Sequence, residues 1–186
     1  MNATQDLKQD HLTLKRVRSI TQRCSEKFYV NERIPLEDLE IISVIIEEFV
    51  DRFHHGKEEQ AYFPETKDKN SFSEDIRKFL IEHELGRRIA RMFLHNLKTW
   101  KEGGEKGSME PLARFLKSYS IFITDHTGKE DKFFDIIEEK SSLSNQENEI
   151  LIKHFENCRN QVGGIVRIER MMKLIEYLED REWMKK

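Results

Sequence analysis

A chain of 186 residues, 37% hydrophobic and 36% charged, is long enough to bury one core and has the balance of an amphipathic single domain. Three prolines and eight glycines leave room for long uninterrupted helices, so an all-α fold is expected. A net charge of -3 argues against a nucleic-acid surface, no apolar run reaches the roughly 18 residues of a membrane span, and the polar start MNATQDLKQD does not read as a signal peptide. The expectation is a cytoplasmic protein without nucleic-acid or membrane partners.

Apolar residues at helical spacing define the elements in turn. The first stripe is Leu7, His11, Leu14, Val17, Thr21, Cys24 and Phe28, ending before NERIP. A second begins at Pro35, a favoured first-turn residue, and runs through Leu39, Ile42, Ile45, Ile46, Phe49 and Phe53 towards Pro64. KDKNS breaks the chain and offers Ser71 or Ser73 as a cap. The third stripe is Ile76, Leu80, His83, Arg87, Ala90, Leu94 and Leu97, stopped by EGGEKGS.

A fourth helix starts near Ser108 or Met109 and carries Leu112, Phe115, Tyr119, Phe122, His126, Glu130, Phe133 and Ile137. Short connections predict an up-down-up-down four-helix bundle within residues 1–140. Residues 141–186 form an expected helical extension packed on it, broken at Gly163-Gly164, with Ile165, Ile168, Met172, Ile175 and Leu178 on the last helix. Cys24 and Cys158 have no CxxC spacing and are expected as free thiols.

His11, His83, His126 and Glu130 fall on the apolar stripes, where an unpaired carboxylate costs several kcal/mol. One such histidine is ordinarily a core residue bonded to a carbonyl, but here several helices each offer one. At about 1.5 Å per residue, His11, His54, His83 and His126 all lie roughly 12 to 20 Å from the same end of an antiparallel bundle. They can therefore converge.

Residues four apart stack on a helix face, and His126-Thr-Gly-Lys-Glu130 and His54-His-Gly-Lys-Glu58 each align an imidazole with a carboxylate. With His11 and His83 these make a nitrogen and carboxylate set suited to first-row metals, and carboxylates able to bridge point to two ions. His55 and Glu59 repeat the spacing one residue on, and a helical wheel does not separate the registers. No E-x-x-H, HExxH, phosphate-binding glycine loop or Gly-x-Ser-x-Gly motif occurs.

His11, HHGKEE, EHELGR and HTGKED together resemble the haemerythrin-like (HHE cation-binding) family over roughly residues 7 to 139. The resemblance implies a four-helix bundle holding a non-haem diiron centre, oxo- or hydroxo-bridged, with His11, His54, His83 and His126 as nitrogen ligands and Glu58 and Glu130 as bridging carboxylates. It also selects His54 and Glu58 over His55 and Glu59. Oxygen-carrying haemerythrins have another histidine four residues after the third-helix ligand, where this chain has Arg87.

The pattern therefore looks more like members tied to iron-centre repair, nitric oxide handling or peroxide removal, whose frequent N-terminal domain does not occur in this sequence. The expected ligand is dioxygen, nitric oxide or peroxide. Three readings stay open at this level: a binding protein, a diiron oxidoreductase or repair protein, and an iron or oxygen sensor with a protein partner. His55, Glu59, Arg87 and Tyr119 are candidates for supporting contacts around the ligands; His95 and His154 are read as structural or surface residues.

Overall fold

The computed structural model describes residues 1–69 and 71–185; Asn70 in the KDKNS break and Lys186 at the end of the expected extension lie outside them. The chain is all-helical, and no strand occurs among the described residues. Helix α1 spans Ala3–Tyr29, opened by a capping box in which Asn2 and Gln5 satisfy each other's backbone N–H groups.

A long second rod covers residues 36–66: α2 (Leu36–Val44), a π-helix (Ile45–His55), a second π-helix (Glu58–Tyr62) and α3 (Phe63–Thr66). Then come α4 (Ser73–Glu102), α5 (Glu110–Glu139), α6 (Asn145–Gln161), α7 (Gly164–Glu179) and a 3-10 turn at Glu182–Met184. Lys8 of α1 meets Asp135 and Glu138 of α5, while Lys117 lies over the Tyr29 ring, so these two helices run in opposite directions.

Two apolar clusters sandwich a polar layer. One contains Leu14, Val17, Phe49, Phe53, Phe93 and Ile123, and the other Leu7, Tyr62, Phe63, Phe79, Phe133 and Phe134. In chain order, His11 falls between Leu7 and Leu14, the HHGKE stretch between Phe53 and Ala61, His83 between Phe79 and Phe93, and His126 and Glu130 between Ile123 and Phe133. The C-terminal helices join both sides: Leu151 and Phe155 of α6 enter one cluster, and Met171, Ile175, Leu178 and Trp183 the other. No helix of the described residues is long and apolar enough to cross a membrane.

Three local expectations are corrected. Neither Ser71 nor Ser73 caps α4; Phe72 occupies the N-cap without a side-chain bond, and Ser71 adopts a positive φ of 65°. Leu80 and Leu94 are exposed at 39% and 48%, because α4 turns Phe79, Gly86, Phe93 and Trp100 inward with Ile76, His83 and Leu97. Steps of three and of four from Ile76 both return to His83, and the aromatic side wins because each Phe or Trp buries about 150–250 Å². Finally, Ile165 is exposed at the start of α7, and Met171 takes the core position. Gly163 and Gly164 break the chain between α6 and α7 as expected, with φ of 106° and 75°.

Candidate metal centre

The π-helical turns explain how two consecutive histidines serve one interior. Gly56 N–H reaches the Asp51 carbonyl five residues back, which widens the turn and narrows the angle between successive side chains. His54 and His55 are consequently both buried, at 0% and 2% exposure. The glutamates that follow part company: Glu58 is fully buried, while Glu59 keeps a quarter of its side chain in solvent.

The structure gathers His11, His54, Glu58 and Glu130 into one group and His55, His83 and His126 into another, each with donor atoms within 4.8 Å of one another. Carboxylate atoms join the groups. Glu58 places Oε1 3.5 Å from His54 Nε2 and Oε2 3.4 Å from His83 Nε2. Glu130 places Oε2 3.4 Å from His11 Nε2 and 3.2 Å from His126 Nε2, and Oε1 3.5 Å from His83 Nε2.

None of these approaches is a hydrogen bond. Nε2 of all five histidines, Nδ1 of His55 and both oxygens of Glu58 and Glu130 are buried without a hydrogen-bond partner among the described residues. A buried unsatisfied polar atom costs about 1–3 kcal/mol, so such a concentration makes sense only for a site that binds something in their midst. Imidazole and carboxylate donors converging on two points are the donor set for first-row metal ions, and the residues fit such ions.

Outward-facing nitrogens are satisfied by a ring of carboxylates. His54 Nδ1 donates to Asp10 of α1 at 3.2 Å, His83 Nδ1 to Glu59 of the second rod at 2.7 Å, His126 Nδ1 to Glu82 of α4 at 2.9 Å, and His11 Nδ1 to Asp131 of α5 at 2.6 Å. Each helix thus orients the histidine of the next, and the ring closes. Asp51 stands 3.5 Å from His55 Nδ1, at ion-pair distance and without a hydrogen bond, so His55 is outside this ring. A proton fixed on Nδ1 leaves the Nε2 lone pair facing the interior, as metal-ligating histidines require.

Arg87 braces the ring: its Nε donates to Asp51, Nη2 to Glu59 and Nη1 to Glu84, each at 2.7 Å. It supplies no donor to the interior and holds two orienting carboxylates instead. Tyr119 is buried among apolar side chains and in contact with Phe122. His95 and His154 are exposed. Asp10, Asp51, Glu82 and Asp131 had no place in the sequence reading. Adjacency marks three of them, since Asp10-His11, Glu82-His83 and Glu130-Asp131 are neighbours, but Asp10 and Glu82 serve a histidine other than the one beside them, Asp131 serves one on another helix, and Asp51 has no such neighbour.

Protonation without metal follows from the packing. Burial works against a charged His11, yet the hydrogen bond to Asp131 and the Glu130 carboxylate raise it to about 10. Burial lowers His54 to about 4 despite Asp10, and it pushes His55 well down, with His83 adding to the effect. Burial and the neighbouring Glu130 charge drive Glu58 well above the carboxylate range. Glu130 is held well below it against burial by His126, His11 and His83. Metal ions would displace the protons that occupy the interior in their absence.

A helical chain with buried His and Glu groups that could hold metal is the class that this fold and site define. Residues 2–137 match the Hemerythrin HHE cation binding domain, and the chain belongs to that family. No curated protein matches the chain, and no solved structure does.

Proposed function

We propose that the chain is a haemerythrin-like diiron protein that binds a small ligand, dioxygen, nitric oxide or peroxide, at a carboxylate-bridged pair of iron ions. In this reading His11, His54, His55, His83 and His126 are the nitrogen ligands and Glu58 and Glu130 the bridges. The observation that carries it is Glu58, whose two unpartnered oxygens face His54 of one group and His83 of the other. His55 takes part as a fifth histidine because it too is buried with unpartnered nitrogens; it comes from the second rod rather than from the position of Arg87.

Bound iron would supply reversible ferrous and ferric chemistry; the chain's contribution is ligation, orientation and shelter. Five imidazoles and two bridging carboxylates leave roughly three of about twelve positions on two six-coordinate ions for solvent and ligand. The bundle within residues 1–140, read as up-down-up-down, holds the ions, and residues 141–186 form a helical extension packed on it.

A second reading, a sensor, has one specific observation in its favour. Phe155 of α6 lies 5.1 Å from the Lys57 ammonium, which pairs with Asp10, the carboxylate that orients His54. The C-terminal helices thereby touch the centre through one ion pair. Titration of the anaerobic ferrous protein with nitric oxide and with dioxygen tests the main reading: a saturable change in the optical spectrum is expected, and an unchanged spectrum with both gases would overturn it. Continuous consumption of nitric oxide or hydrogen peroxide with added reductant would make it an oxidoreductase. Ligand-dependent proteolysis after about residue 140 would favour the sensor.

A further inference from the structure

A cleft of about 300 Å³ opens between the second rod and α4, and it reaches the centre. His55 and Tyr119, each 2% exposed, lie at its deep end. Ile46, Ala90, Phe93 and Leu94 give it apolar walls, and the exposed Glu47 and Arg91 stand at its mouth. A diatomic ligand needs about the space of one or two waters, near 30 Å³ each, and a cavity of about 150 Å³ already accepts benzene. This cleft is therefore oversized for a gas and matches the low end of organic-ligand sites.

Its polarity narrows the occupant. The Tyr119 hydroxyl makes no hydrogen bond among the described residues and is not sealed off as the unpartnered histidine and glutamate atoms are, so from the cleft wall it is free to meet one polar atom of a molecule that enters. Free charge is absent at depth: Arg87 and Asp51 on the wall are already paired with each other. At the mouth one acidic and one basic side chain offset one another. An ion carried inside would lose hydration without a counter-charge.

We propose that the cleft is a binding site for a compact, uncharged organic molecule with an apolar body and one hydrogen-bonding oxygen, which meets the Tyr119 hydroxyl and rests against the His55 side of the centre. Only the last clause rests on the diiron reading.

The test is a protein-observed NMR titration of the full metal-free chain with cyclohexanone, and with cyclohexanecarboxylate as the charged comparison. Saturable shifts are expected at residues 43–47, 86–94 and 119, with the carboxylate at least tenfold weaker. Tyr119→Phe should weaken cyclohexanone by about three- to tenfold, the loss of one hydrogen bond. Ala90→Phe should fill the cleft and abolish binding while metal content stays that of the parent. Absence of saturable shifts, equal binding of the carboxylate, or unchanged affinity in both variants would overturn the proposal. Binding in a chain that takes up no iron would leave this site standing and sink the diiron reading, and iron uptake without binding would do the reverse.

Discussion

Asp10 precedes His11 in the chain, yet its carboxylate accepts from His54 Nδ1 on the neighbouring rod, 3.2 Å away. The same offset recurs at Glu59, Glu82 and Asp131, so four helices are tied in a ring by contacts between one helix's carboxylate and the next helix's imidazole. Orientation of the interior is thus a property of the assembled bundle and not of any one helix.

Removing one member of the ring should loosen the metal more than the fold. Glu82→Ala and Asp131→Ala are each expected to weaken metal affinity by about 10- to 100-fold. Competition against a chelator measures it, and affinities within twofold of the parent would contradict the orienting role.

His54 and His55 should both prove necessary for full loading, in different ways. His54 belongs to the group with His11, Glu58 and Glu130, and His55 to that with His83 and His126. Each histidine replaced by alanine should lower metal content, whereas a supporting role for His55 would leave His55→Ala fully loaded. Elemental analysis of the two variants decides. Since both ring nitrogens of His55 are unsatisfied without metal, His55→Leu should also stabilise the metal-free chain by about 1 kcal/mol. Denaturant unfolding would show a loss instead if those nitrogens were satisfied.

Close packing on α4 gives a third expectation. A Cβ at Gly86 would lie 2.5 Å from the Phe122 ring, which stacks on His126 at 5.1 Å between centroids. Gly86→Ala should therefore cost about 1–3 kcal/mol and displace His126. A variant with parental stability and metal affinity would show that Phe122 moves freely.

Much of this was legible in the sequence because the ligand types repeat at helical spacing. Leu7, His11 and Leu14 already place an imidazole in a core stripe, and the H-x-x-x-E pairs align donors on two helices. What was not legible depends on geometry beyond the α-helical period. A wheel of regular turns makes His54 and His55 alternatives, whereas the π-helical rod turns both inward and sends only Glu59 out. The inner face of α4 was ambiguous for another reason: two alternating stripes share Ile76, His83 and Leu97, and only packing against Phe122, Phe133 and their neighbours selects Phe79 over Leu80. Partner choice in the carboxylate ring crosses between helices, which no local spacing encodes.

Stability of the metal-free chain should peak near neutrality. His11 titrates at about 10 in the fold against about 6.5 when unfolded, so its contribution is fully present below pH 6.5 and is lost as pH rises towards 10. His54 titrates at about 4 in the fold, so the unfolded chain takes up a proton first and stability falls from pH 6.5 towards 4. The lowered carboxyls of Asp10, Glu59, Glu82 and Asp131 add to the acid loss. Thermal unfolding at pH 5, 6.5 and 9.5 should give the highest Tm at the middle value. Metal loading should remove the alkaline decline, because His11 then keeps only its Nδ1 proton and Nε2 carries none; a Tm that rises from pH 6.5 to 9.5 without metal would contradict the assignment.

The most direct test of the central claim is the iron content of the full chain after anaerobic reconstitution with ferrous iron and removal of excess metal. About two irons per chain are predicted for the parent, with Glu58→Ala and Glu130→Ala each losing most of theirs because each removes a carboxylate of the first group that also approaches a histidine of the second. Iron near zero in the parent, or undiminished in both variants, would contradict it.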